Sequence, residues 1–115
     1  MGKRPVLVVL YDISRNENAQ IKSFFNTTKQ CPPSNITWMT VRDVSEETVF
    51  RLVRKIKKKC FSEVRILYRN HQDYLRNSQP LKDIFFEKIA RVSLYTLDNT
   101  GNGWDMIESS YLPPI

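Results

Sequence analysis

Glycine is scarce in this chain, with three residues among 115, and none of them falls into a G-x-G-x-x-G or G-x-x-x-x-G-K-[ST] pattern. A backbone cradle for a pyrophosphate needs such glycines, because only without a Cβ can the main chain approach phosphate oxygens closely. Dinucleotide dehydrogenases and P-loop enzymes are excluded on that ground. Histidine is rarer still. His71 stands alone, so a Ser-His-Asp or Cys-His arrangement has one candidate base and no cysteine predictably near it.

Cys31 and Cys60 are the only cysteines, without CxxC spacing. Two are too few for the disulfide framework of a small secreted scaffold, so reduced thiols and a cytoplasmic location are the expectation. Long apolar runs are missing as well. Val6 to Leu10 is far too short to cross a bilayer and reads as a buried strand, and no membrane partner is expected. Asn26-Thr27-Thr28 and Asn35-Ile36-Thr37 match the glycosylation triplet, but such triplets recur by chance and no secretory signal precedes them.

What is present describes an ordinary globular chain. Hydrophobic residues make up 41% and charged residues 26%, enough apolar surface for one domain of this length to bury a core without disulfides or metal. The reading is a single domain over 1–115, with 101–115 as a partly irregular tail. Eighteen Lys and Arg against twelve Asp and Glu leave +6. That balance admits nucleic acid, nucleotides and acidic proteins as partners through long-range attraction.

Pro5 to Tyr11 is a continuous apolar and β-branched run, the pattern of a parallel strand covered on both faces. Ile21, Phe24 and Phe25 recur at helical spacing, predicting a helix over 18–28 that Pro32 and Pro33 would stop. Ile36 to Val41 is the second strand. Asp43 or Ser45 caps a helix from Ser45 to Cys60, with Glu46 and Glu47 in its first turn and Lys57, Lys58 and Lys59 in its last, a charge order that suits the helix dipole. Val49, Leu52, Val53, Ile56 and Cys60 form its inward stripe. Val64 to Tyr68 is the third strand. Ser78 and Pro80 mark the start of a helix with Leu81, Ile84, Phe85 and Ile89 inward, and Val92 to Leu97 is the fourth strand. Residues 98–103 read as a turn, followed by at most one short helix.

Strand starts near 6, 36, 64 and 92 stand about 28 to 30 residues apart, the length of one βα unit. The expected fold is a small Rossmann-like or flavodoxin-like βαβαβαβ domain. It has a four-stranded parallel sheet in an order such as 2-1-3-4, with helices on both faces.

In such sheets ligands bind outside the carboxyl ends of the strands. Those ends carry Asp12, Ser14, Arg15 and Asn16, then Arg42 and Asp43, then Arg69, Asn70 and His71, then Asp98, Asn99 and Thr100. With no glycine cradle, a phosphate there must meet helix N-termini and the side chains of Arg15, Arg42 and Arg69. The leading expectation is a binding module for a phosphate-bearing ligand, nucleotide or nucleic acid, at this rim, using Ser14, Arg15, Asn16, Arg42, Arg69, Asn70, His71, Asn99 and Thr100, with no cofactor. The ordinary alternative is that Asx and Ser side chains there only cap helices and turns. A second expectation is Mg²⁺-dependent phosphoryl transfer or nuclease chemistry, with Asp12 and Asp98 sharing the ion.

Six of the nine residues from Arg51 to Lys59 are cationic, and Arg51, Arg54, Lys55, Lys58 and Lys59 on an outer helix face could follow a phosphate backbone or dock on an acidic protein. The nearest aromatics, Phe50 and Phe61, flank the run. Asp12-Ile13-Ser14-Arg15-Asn16 resembles part of the metal-adhesion motif of von Willebrand A domains, and VLVVLYDIS resembles the first strand of small CRISPR adaptation proteins. Each likeness covers one short segment. The first family has a longer domain and the second a ferredoxin-like hairpin, so neither assigns the chain.

Overall fold

The computed structural model describes residues 5–13, 36–58, 61–86, 89, 91–97 and 104–111. Five strands form one sheet: β1 (Val6–Tyr11), β2 (Ile36–Val41), β3 (Glu63–Tyr68), β4 (Arg91–Leu97) and β5 (Trp104–Tyr111), in the order β2-β1-β3-β4-β5. Between them run α1 (Glu46–Lys58) and α2 (His71–Phe85). β1, β2, β3 and β4 pair in parallel, with Val6 opposite both Ile36 and Glu63. The α/β class and the predicted parallel core are therefore present.

Two parts of the expectation need correction. The sheet has a fifth strand: Trp104–Tyr111, where at most one short helix was expected, pairs antiparallel with β4. WDMIESSY carries Asp, Glu and Ser between its apolar residues, so it lacks the continuous run that marks a strand buried on both faces. An antiparallel edge strand needs no such run. The register slips between Leu94 and Tyr95, which pair with Glu108 and Met106, so Ile107 has no residue opposite it, the signature of a bulge.

The second correction concerns the helices. α2 begins at His71, not at Ser78, because the Asn70 side chain accepts from the Asp73 N–H at 2.8 Å and caps it. Pro80 lies inside this helix and leaves the Arg76 carbonyl without its i+4 donor, a cost that Leu81, Ile84 and Phe85 offset by burial. Among the described residues, α1 and α2 both pack against one face of the sheet. α1 supplies Leu52 and α2 supplies Leu81, Ile84 and Phe85 to a cluster with Leu7, Val9, Tyr11, Ile66, Tyr68 and Leu94. The predicted helix over 18–28 lies outside the described residues.

The other face holds a smaller cluster, Val6, Val8, Leu10, Ile13 and Leu67 with Ile36, Trp38 and Tyr95 beside it. Alternation sends Leu7, Val9 and Tyr11 one way and Val6, Val8 and Leu10 the other, and all six are buried. That is why β1 is apolar throughout. Arg65 shares the second face at 5% exposure, its Nε donating to Glu63 Oε2 at 2.7 Å, since a charge taken out of water must be paired. No helix among the described residues is long and apolar enough to cross a membrane.

Candidate functional site

The sheet order reverses between β1 and β3, so the crevice expected of an open α/β sheet lies at their carboxyl ends. Tyr11 and Tyr68 are register partners with ring centroids 5.3 Å apart, and Asp12 and Arg69 therefore leave the sheet side by side. Asp12 adopts φ 53°, and its N–H donates to the Val41 carbonyl at 2.8 Å. A short polar side chain tolerates that left-handed backbone better than a branched one. Ile13 then turns back into the second-face cluster. Arg69, Asn70 and His71 are exposed at the end of β3.

Much of this rim already serves the fold. Asn70 is spent on the α2 cap. Asp43 accepts from the Ser45 N–H at 3.1 Å and from the Thr48 hydroxyl at 2.7 Å. The Thr48 bond, then those from Ser45, hold the Asp43 carboxyl below its usual range. His71 opens α2 with its ring 5.5 Å from Tyr74, whose ring stands edge-on to Tyr68 at 5.8 Å. The Tyr74 hydroxyl donates to Glu108 at 3.1 Å, and Lys82 reaches the same carboxylate at 2.9 Å. Strand β5 is thus pinned onto α2.

The field at the rim is negative as well as positive. Burial first, then the carboxylates of Asp73, Asp43 and Asp12, raise the Tyr11 phenol above its ordinary value. Burial likewise raises Tyr68 and Tyr74, so all three stay protonated near neutral pH and act as hydrogen-bonding and packing groups. Arg42 is exposed nearby. Ser14, Arg15, Asn16, Asp98, Asn99 and Thr100 lie outside the described residues, and so does any meeting of Asp12 with Asp98. Among the described residues no group of three or more His, Cys, Asp or Glu side chains is placed to hold a metal ion.

The outer side of α1 is a different kind of surface. Leu52 is fully buried beneath it and Val49, Val53 and Ile56 are half-buried, while Arg51, Arg54, Lys55, Lys57 and Lys58 are all exposed. Lys59 lies outside the described residues. Phe50, Arg54, Lys57 and Lys58 are spaced i, i+4, i+7 and i+8, so they form one outward stripe opposite Leu52. Phe50 is 61% exposed, with the Arg54 guanidinium 5.8 Å from its ring centroid. Phe61, the other flanking aromatic, is buried in the core. The described ion pairs lie elsewhere, joining Arg65 to Glu63 and Lys82 to Glu108.

A cleft of about 470 Å³ lined by Gln79, Lys82, Asp83 and Phe86 opens near the end of α2. Its polar groups are engaged, Gln79 with Asp83 at 2.8 Å and Lys82 with Glu108. Sequence reasoning named the cations of α1 but left Phe50 as a mere flank and Lys57 out of the candidate set. The signal for both was the i, i+4, i+7 spacing. It gave no hint of Glu108, which reaches Tyr74 and Lys82 only because β5 folds back beside β4.

No family model, curated protein or solved structure matches this chain.

Proposed function

We propose that this protein is a small nucleic-acid-binding module that meets the phosphate backbone with the outer face of α1. One observation carries the reading: Arg51, Arg54, Lys55, Lys57 and Lys58 stand exposed along one helix, on a chain of net charge +6. Holding so many like charges together costs self-repulsion, which a line of phosphates relieves while releasing counterions. Glu46 and Glu47 occupy the first turn, so the footprint is confined to the C-terminal part of the helix.

The test is fluorescence anisotropy with labelled DNA and RNA over a salt series, on the wild type and on a variant with Arg54, Lys55, Lys57 and Lys58 all changed to Gln. The expected result is weaker binding and a shallower slope of log affinity against log salt, by up to about 0.7 per cation on a single strand. Equal affinity and slope in the two proteins refute the reading. Polyglutamate as competitor separates it from docking on an acidic protein, since polyglutamate displaces nucleic acid effectively only if negative charge alone is recognised.

A second reading puts a phosphate-bearing nucleotide at the β1/β3 strand ends. What favours it is the sheet order, which brings Asp12 beside Arg69, Asn70 and His71 at the point of reversal. A nucleotide there raises the melting temperature in a thermal-shift screen, because it binds only the folded state. Mg²⁺-dependent turnover through Asp12 and Asp98 is the catalytic form of the same idea, and a labelled-substrate assay with and without Mg²⁺ decides it.

A further inference from the structure

Phe50 opens the outward stripe of α1 on its N-terminal side, where a helix in contact only with water has no use for a phenyl ring. A single exposed aromatic is common enough on protein surfaces. Phe50 differs in its setting. The ring is 61% exposed, and the Arg54 guanidinium stands 5.8 Å from its centroid, near the outer limit of a cation–π contact. The cation thus stands over the ring at that distance while most of the side chain stays open to solvent. One turn further, Lys57 and Lys58 continue the same line. An aromatic plane followed by cations along one track is the layout that binds a strand whose bases are turned outward, since each base offers a π-face and each nucleotide a phosphate. A duplex hides its base faces in the stack and can use the cations only.

We propose that Phe50 is a stacking platform for an unpaired nucleobase and that this face therefore selects single-stranded over duplex nucleic acid. The proposal rests on the reading of α1 as the nucleic-acid surface and specifies what that surface takes. The base lies on the open side of the Phe50 ring. Arg54, Lys57 and Lys58 then hold the phosphates that follow, and Glu46 and Glu47 at the first turn repel a backbone running the other way.

The experiment compares a labelled homopyrimidine single strand with a mixed-sequence duplex of equal length. Both are titrated against the wild type, Phe50→Ala, Phe50→Leu and Phe50→Trp. The side chain is exposed, so the variants keep the fold, which circular dichroism melting verifies. The wild type binds the single strand more tightly than the duplex. Phe50→Ala weakens single-strand binding roughly fivefold or more, the lower end of the range for one stacked base. It leaves duplex affinity and the salt slope unchanged, because no counterion is released at a phenyl ring. Phe50→Leu behaves like Phe50→Ala, and Phe50→Trp retains or improves single-strand binding. Equal wild-type affinity for the two ligands, or single-strand binding indifferent to Phe50→Ala, overturns the stacking proposal and leaves the cationic reading standing. Failure of the wild type to bind either ligand overturns both.

Discussion

The strand-end rim and the outer face of α1 are both polar and both carry cations, yet the fold uses them differently. At the rim Asn70 caps α2, Ser45 caps α1 by accepting from the Thr48 N–H, Asp43 accepts from the Ser45 N–H and the Thr48 hydroxyl, and Tyr74 is tied to Glu108. On α1, Arg54, Lys55, Lys57 and Lys58 crowd one side of a helix whose stability comes from Leu52 on the other. A polar group that caps a helix is explained by the backbone it satisfies. A row of cations around an exposed phenyl ring is not, and this is why the second surface carries the functional proposal.

The sharpest way to break the contrast is to measure stability on the two sides of α1. Leu52 is fully buried, so Leu52→Ala is expected to cost about 2–5 kcal/mol through lost transfer energy and the cavity left behind. The fourfold Gln variant of Arg54, Lys55, Lys57 and Lys58 should stay within about 1 kcal/mol of the wild type, because exposed charges contribute little individually. Urea unfolding of both variants reads the difference. A fourfold variant as unstable as Leu52→Ala means that the cations hold the fold together, and the comparison fails.

A smaller effect is expected at the rim. Asn70→Ala removes the α2 cap and should cost about 0.5–2 kcal/mol, with Asn70→Asp restoring most of it. If Asn70 also holds a phosphate, the stabilisation by a bound nucleotide in the thermal-shift screen falls with the alanine variant; if it is a cap alone, the shift keeps its size while the baseline drops.

The smallest effect belongs to Asp43. Its folded-state pKa is depressed, above all by the hydrogen bond from Thr48. Its contribution is therefore complete above the ordinary carboxylate range and is lost as pH falls through the lowered folded-state value. Asp43→Asn is expected to be less stable than the wild type near neutrality, and the gap closes in acid. Thermal melts across pH show it, and a gap that widens in acid contradicts a stabilising role for the bonds that Asp43 accepts from Thr48 and Ser45.

Legibility in the sequence followed one rule: features that repeat along the chain were readable, and features that join distant segments were not. PVLVVLY, ITWMTV, VRILY and VSLYTL announce strands because apolar, aromatic and β-branched residues dominate each of them. The helix from Glu46 to Lys58 announces itself by its 3.6-residue stripe and by acids before bases. Strand β5 escaped because half-polar WDMIESSY becomes a strand only with β4 beside it. The start of α2 escaped for a local reason, since Pro80 looked like a helix beginning and Asn70 like a loop residue. Burial of Leu81, Ile84 and Phe85 carries the helix through the proline.

For the candidate sites the division is the same. The sequence by itself determined that α1 has a cationic side and an apolar side, because helical periodicity sorts residues by face before any partner is present. It also determined the parallel α/β core, because strands about 28 to 30 residues apart leave room for crossovers and not for tight hairpins. Only the tertiary structure decided that Phe61, past the end of α1, goes inward, that Tyr11 meets Tyr68 at the reversal of the sheet, and that Glu108 closes onto Tyr74 and Lys82. The latter two join residues from different strands and helices, and whether an apolar core has room for a phenylalanine outside any helical stripe depends on the whole set of neighbours that the fold assembles around it.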